Sequence, residues 1–121
     1  MVNDSWIYAR RKTGTYPEHT SRGGKWLVFA SGRSMPAIWK RVKAAVENGQ
    51  LGELAKRNAS SGHGVICVYT YDWKDHDDVM RIRSELRTIG IAKKIPYKTD
   101  ENTERGIYRA GGSKRISAYC E

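Results

Sequence analysis

Only two stretches of this 121-residue chain repeat apolar side chains at helical spacing, and the remaining apolar residues come in short runs. The first stretch begins at Pro36, which a first helical turn tolerates because its missing N–H would have no partner there. Ile38, Trp39, Val42, Ala45 and Val46 then share one face, Lys40, Arg41 and Lys43 are left toward water, and Asn48-Gly49 supplies the stop. In the second, Asp75 is the expected N-cap and Asp77 and Asp78 meet the positive end of the helix dipole. Val79, Ile82, Leu86 and Ile89 form its stripe, and Gly90 ends it. Two helices and several short strands are therefore the parts available.

Residues 5–10 alternate, so that if Ile7 and Ala9 face the core, Trp6, Tyr8 and Arg10 share the opposite face. Residues 12–24 hold Gly14, Pro17, Ser21, Gly23 and Gly24, a loop long enough to be a mobile functional segment. Residues 25–30 are nearly all apolar and read as a central strand. Residues 65–71 are β-branched and aromatic, the clearest strand in the chain. Residues 51–57 stay open between strand and loop, and shorter strands are expected near 95–98, 106–109 and 116–119. Regular βαβ alternation is missing. The order argues an α+β fold, a mostly antiparallel sheet with two main helices packed on one face. The length implies a single domain over residues 1–121.

No apolar run approaches the length of a membrane span, and the first residues lack the basic and apolar regions of a signal peptide. Two cysteines, Cys67 and Cys120, suit a reducing compartment better than a disulfide framework. The expectation is a soluble cytoplasmic protein without a membrane partner. Net charge is +9, and residues 1–62 carry most of it, with 11 Lys and Arg against 4 Asp and Glu. Such a field attracts polyanions, although a basic surface also serves solubility alone.

The chemistry concentrates in Ile7-Tyr8-Ala9-Arg10-Arg11 and Gly24-Lys25-Trp26-Leu27. Guanidinium groups, an ammonium and aromatic rings at the ends of apolar strands can hold a phosphate by charge, fork geometry and stacking. Trp39 belongs to the helix stripe, whereas Trp6, Tyr8, Trp26, Tyr69 and Tyr71 divide between burial and ligand contact. Pairing of Arg10 with Tyr8 or Trp6 would use the same residue types without any ligand. Adjacent residues, Arg10 with Arg11 or Tyr108 with Arg109, point to opposite faces of a regular strand, so at most one of each lines a single pocket. His19, His63 and His76 are too scattered for a metal site, and no cofactor is expected. Gly23-Gly24-Lys25 lacks the first glycine of a triphosphate loop, and Trp26 stands where Ser or Thr would bind Mg²⁺. His63, between Gly62 and Gly64, is placed for proton transfer, against the commoner reading of an idle loop histidine.

Taken together, Trp6-Ile7-Tyr8-Ala9-Arg10-Arg11, Gly24-Lys25-Trp26-Leu27-Val28-Phe29, Leu51-Gly52-Glu53-Leu54-Ala55-Lys56, Val65-Ile66-Cys67-Val68-Tyr69-Thr70 and Tyr97-Lys98-Thr99-Asp100 resemble small archaeal relatives of the basophilic-leukaemia-expressed family. That resemblance implies a fold like translation initiation factor 4E, a curved antiparallel sheet backed by helices. Ile7-Tyr8-Ala9-Arg10-Arg11, Gly24-Lys25-Trp26-Leu27 and Tyr108-Arg109 also resemble segments of phosphothreonine lyases, which eliminate phosphate from phosphothreonine. This second resemblance implies Lys56 as the base and puts Leu27, which cannot give a proton, at the acid's position, leaving His63 as the substitute.

The expected function is binding of a phosphorylated ligand on the concave face of the sheet, RNA or a nucleotide first, with a phosphorylated small molecule or peptide as the other partners. Arg10, Arg11, Lys25, Tyr69, Tyr108 and Arg109 are the expected phosphate-binding residues, with Tyr8 beside them. Lys56 and His63 are the expected catalytic pair if the protein is a lyase-like enzyme.

Overall fold

Antiparallel pairing runs through the whole sheet of the computed structural model, which describes residues 6–58, 64–100 and 119–121. Within these residues the strands are β1 (Trp6–Arg10), β2 (Gly24–Ala30), β3 (Leu54–Asn58), β4 (Gly64–Thr70), β5 (Pro96–Thr99) and β6 (Tyr119–Cys120). They lie in the order β1-β3-β4-β2-β5-β6 in one curved sheet. The helices are α1 (Met35–Glu47) and α2 (His76–Thr88), and both cover the same face. No helix among the described residues is long and apolar enough to cross a membrane.

Both helices begin and end on the expected signals. Pro36 lies in the first turn of α1, and Gly49 just beyond its end has φ +80. The Asp75 side chain accepts from the Asp78 N–H at 3.1 Å, which satisfies one of the donors a helix start leaves open. Gly90, at φ +107, closes α2.

The core forms where these stripes meet alternate residues of the strands. Val42, Val46, Leu51, Ile66, Ile82 and Leu86 are fully buried, each contributing roughly 1.5–3 kcal/mol relative to exposure. Trp26 is buried completely, donates its indole N–H to the Val79 carbonyl at 3.1 Å, and meets the Tyr97 ring edge to face. This removes Trp26 from the candidate ligand-stacking residues: on β2 it shares the core face with Val28 and Ala30. Ala9 is buried as the alternation requires, whereas Ile7 on the same face is 42% exposed because β1 is an edge strand.

Residues 51–57 settle as strand in their second half. β3 carries only one fully buried apolar side chain, Ala55, yet it pairs with β1 on one side and β4 on the other. Its charged residues hid it from a hydrophobic pattern, and long-range pairing made it. The expected strand near 106–109 lies outside the described residues, and β6 provides the pairing at 119–120.

Candidate phosphate-binding face

Register decides which side chains share the face opposite the helices. Directly opposed residues of antiparallel strands project to the same side. Arg10 stands opposite Leu54, Lys25 opposite Tyr69 on one flank and opposite Lys98 on the other. The β3 and β4 register places Leu54 beside Tyr69, so one row crosses the sheet as Arg10, Leu54, Tyr69, Lys25 and Lys98. A second row runs Tyr8, Lys56, Cys67, Leu27. At a strand spacing near 4.8 Å the first row is about 19 Å long. Four cations therefore share a face that also carries Trp6, Tyr8 and Tyr69.

The aromatic groups already hold the cations. The Lys56 Nζ lies 4.0 Å from the Trp6 ring centroid and 6.0 Å from that of Tyr69, Lys25 approaches Tyr69 at 5.8 Å, and Arg10 lies 5.4 Å from Tyr8. Each such contact contributes roughly 0.5–2 kcal/mol depending on desolvation. Ring contacts leave the ammonium hydrogens able to donate to an anion. Burial pushes the Tyr69 phenol well above its ordinary range, with Cys67 and Asp100 adding to the rise, so it remains a neutral hydroxyl. Burial likewise pushes the Cys67 thiol up, which keeps it protonated and unreactive between Lys56 and Leu27.

One carboxylate closes the end of the row. Asp100 accepts from the Lys25 Nζ at 3.1 Å and lies 2.8 Å from the His19 Nε2. His19 comes from the loop between β1 and β2 and packs toward Tyr69, with ring centroids 6.3 Å apart. A Cβ on Gly23 would fall 1.8 Å from the His19 Nε2, so the absent side chain there makes room for the imidazole. Lys25 itself is only 8% exposed. Burial, and then the charge of Lys25 across the ladder, hold Lys98 below the ordinary lysine range.

A cavity of about 350 Å³ lies beside the middle of the row, lined in part by Tyr16, His19, Glu53, Leu54 and Tyr69. The Tyr16 hydroxyl donates to Asp78 at 2.5 Å, and its ring meets Tyr71 edge to face. These contacts tie the loop to α2.

Of the residues expected from sequence, Arg10, Lys25, Lys56 and Tyr69 converge on this face, with Tyr8 beside them. Arg11 does not. Its guanidinium donates to the carbonyls of Gly49 at 3.2 Å, Leu51 at 2.8 Å and Thr13 at 3.0 Å, and it stacks on Tyr16, binding the chain after β1 to the end of α1. The physical reason is alternation: Arg11 leaves the strand on the side opposite Arg10. His63, Tyr108 and Arg109 lie outside the described residues. His19, Lys98 and Asp100 were missed. Lys98 and Asp100 alternate with the inward Tyr97 and Thr99, a period-2 signal too short to read without its partners. Among the described residues no cluster of three or more His, Cys, Asp or Glu is arranged to hold a metal ion.

The family described as basophilic leukemia-expressed protein Bles03 matches residues 17–105. Among solved structures, eIF4E-3 of Ascaris suum in complex with m7G cap superposes with a TM-score of 0.66 at 18% identity, covering 99% of this chain and 70% of that one. Schistosome eIF4E complexed with m7GpppA and 4E-BP gives a TM-score of 0.64 at 13% identity, covering 83% of this chain. This chain spans 59% of the Schistosome protein's length. At these identities the likeness establishes the fold, an α+β sheet of the eIF4E kind.

Proposed function

The chain belongs to the basophilic leukemia-expressed protein Bles03 family, and on that premise we propose that it is a single-domain cytoplasmic protein whose helix-free sheet face binds a phosphorylated ligand, RNA or a nucleotide. One observation carries the reading: Arg10, Lys25 and Lys56, far apart in the chain, stand on one face of the sheet with Tyr8 and Tyr69 between them. Cations of this kind neutralise phosphates while ring faces stack bases. Complexes of the eIF4E neighbours with m7G cap and m7GpppA support a nucleotide as ligand for a sheet of this shape.

Binding of a labelled single-stranded oligoribonucleotide, followed by fluorescence anisotropy at increasing salt, tests the proposal. With three phosphates engaged, the log of affinity should fall with the log of salt at a slope of about −2, near 0.7 per contact. A salt-insensitive interaction, or none, rejects it.

Elimination of phosphate from phosphothreonine is disfavoured by the surroundings of Lys56. Among the described residues the second row sets Leu27 beside Cys67, and neither is a good acid for the leaving group, because Leu27 has no proton to give and burial raises the Cys67 thiol, which makes it a weak proton donor. A phosphothreonine peptide should stay intact by mass spectrometry. Formation of dehydrobutyrine, lost in Lys56→Ala, would reverse that reading and restore the enzyme.

A further inference from the structure

Among the described residues, β2 is paired along its whole length on one side only. It meets β4 over Gly24–Ala30, but β5 only from Gly24 to Trp26. The cause is local: continuing the register sets Leu27 opposite Pro96, which has no N–H to donate, and the chain before it turns away. Ile95 pairs instead with Glu121, each N–H reaching the other's carbonyl. The Gly23 carbonyl accepts from the Asp100 N–H on the β5 side, and peptide groups alternate along a strand, so the N–H and C=O of Phe29 point out past the end of β5.

This open edge borders a groove of about 300 Å³. Val28, Ile38, Ile89, Ile91 and Ile95 make its apolar walls, and Arg41, Lys93 and Lys94 stand at its rim. The groove is built rather than incidental. Buried Arg83 donates to the carbonyls of Ile91 at 2.9 Å, Lys93 at 2.8 Å and Glu121 at 3.0 Å, which holds the far wall in place. Among the described residues no carboxylate lies within ion-pair distance of Arg41, Lys93 or Lys94. On the other side of the edge, Phe29 is 63% exposed.

We propose that this edge and groove receive an extended segment of an acidic partner protein, which adds as a strand beside residues 27–30. Main-chain bonds to Phe29 would supply affinity, alternate apolar side chains would enter the groove, and carboxylates would meet the three cations. Charge complementarity selects this occupant: a second copy of the chain would bring a like-charged rim, and a nucleic acid has no apolar side chains for the groove. The surface lies on the helix side of the sheet edge, apart from the phosphate-binding face.

The test uses the full chain and two synthetic peptides, one alternating Glu with Val and Ile, the other the same peptide with Lys in place of Glu. The acidic peptide should bind, protect the Phe29 amide from hydrogen exchange, and lose roughly ten-fold in affinity with Lys93→Glu/Lys94→Glu. That surface double variant should keep the wild-type thermal midpoint, and Arg10→Ala should leave peptide binding unchanged. Equal binding of both peptides would overturn the proposal, as would binding without protection of Phe29. So would no binding, which would leave the lysines as guards of an exposed edge. Dimerisation of the free chain that protects the same amide would overturn it in favour of self-pairing, and protection by the oligoribonucleotide would overturn it in favour of a second nucleic-acid surface.

Discussion

The Lys56 ammonium sits 4.0 Å above the centre of the Trp6 ring, although 49 residues of chain separate the two. Pairing of β1 with β3 brings them together, with Tyr8 directly opposite Lys56 and Trp6 one step along the same face. Lys56→Met keeps much of the packing and removes the charge. Its thermal midpoint should fall by only a few degrees, the contact being worth about 1 kcal/mol. Oligoribonucleotide affinity should fall, and the salt slope should become shallower by about 0.7. An unchanged slope would remove Lys56 from the binding face.

Asp100 competes with any anion for Lys25, because its carboxylate already accepts from that ammonium and lies against His19. Asp100→Asn preserves the shape and removes the negative charge. Titration with inorganic phosphate should show tighter binding, several-fold by the loss of one nearby like charge. Weaker binding would mean that Asp100 positions Lys25 and does not oppose the ligand.

Gly24 lies where a side chain would strike Tyr97, since a Cβ would fall 2.2 Å from the Tyr97 hydroxyl oxygen. That hydroxyl is buried and bonded to Thr70 at 2.6 Å. Gly24→Ala should therefore cost about 1–3 kcal/mol as an overpacked core site, read by urea denaturation. Adding Tyr97→Phe removes only the nearest struck atom, leaving ring carbons 2.5 and 2.7 Å from the new Cβ, whereas Tyr97→Leu removes the ring and should recover part of the loss. A Gly24→Ala/Tyr97→Leu variant no more stable than Gly24→Ala would mean that relief of the ring contact does not offset the loss of the Tyr97 packing.

The hydrogen bond from Arg22 holds the Asp72 carboxyl below its ordinary range, and the Lys74 N–H reinforces it. A folded-state pKa below the unfolded one stabilises the protein above the unfolded value, and that stabilisation disappears as pH falls through the folded value. Thermal midpoints should hold down to about pH 4 and drop below it. In Arg22→Ala the drop should be smaller. An identical acid profile in both proteins would assign the loss to other carboxylates.

Much of this architecture is legible along the chain. Helical spacing at Ile38 to Val46 and at Val79 to Leu86, the caps at Asp75 and Gly90, and the alternation around Ala9 are local signals, and each leads to the element observed. Alternation alone also separates Arg10 from Arg11. β3 was not legible, because Lys56 and Arg57 replace the apolar residues that betray a strand, and its place comes from pairing on both sides. Trp26 was ambiguous for the opposite reason: an apolar run has no polar face to tell inside from outside.

Amino-acid order alone determined the α+β class, the two helices, the basic character and the candidates Arg10, Lys25 and Tyr69, since propensity, period and charge belong to neighbours in the chain, whereas Lys56 entered only through the resemblance to phosphothreonine lyases. Tertiary structure decided the rest. Register put Lys25 across from both Tyr69 and Lys98, the loop carried His19 to Asp100, and Pro96 left the end of β2 open. Each of these joins residues far apart in the chain, and such contacts exist only once burial of the core has made closing the intervening loops favourable.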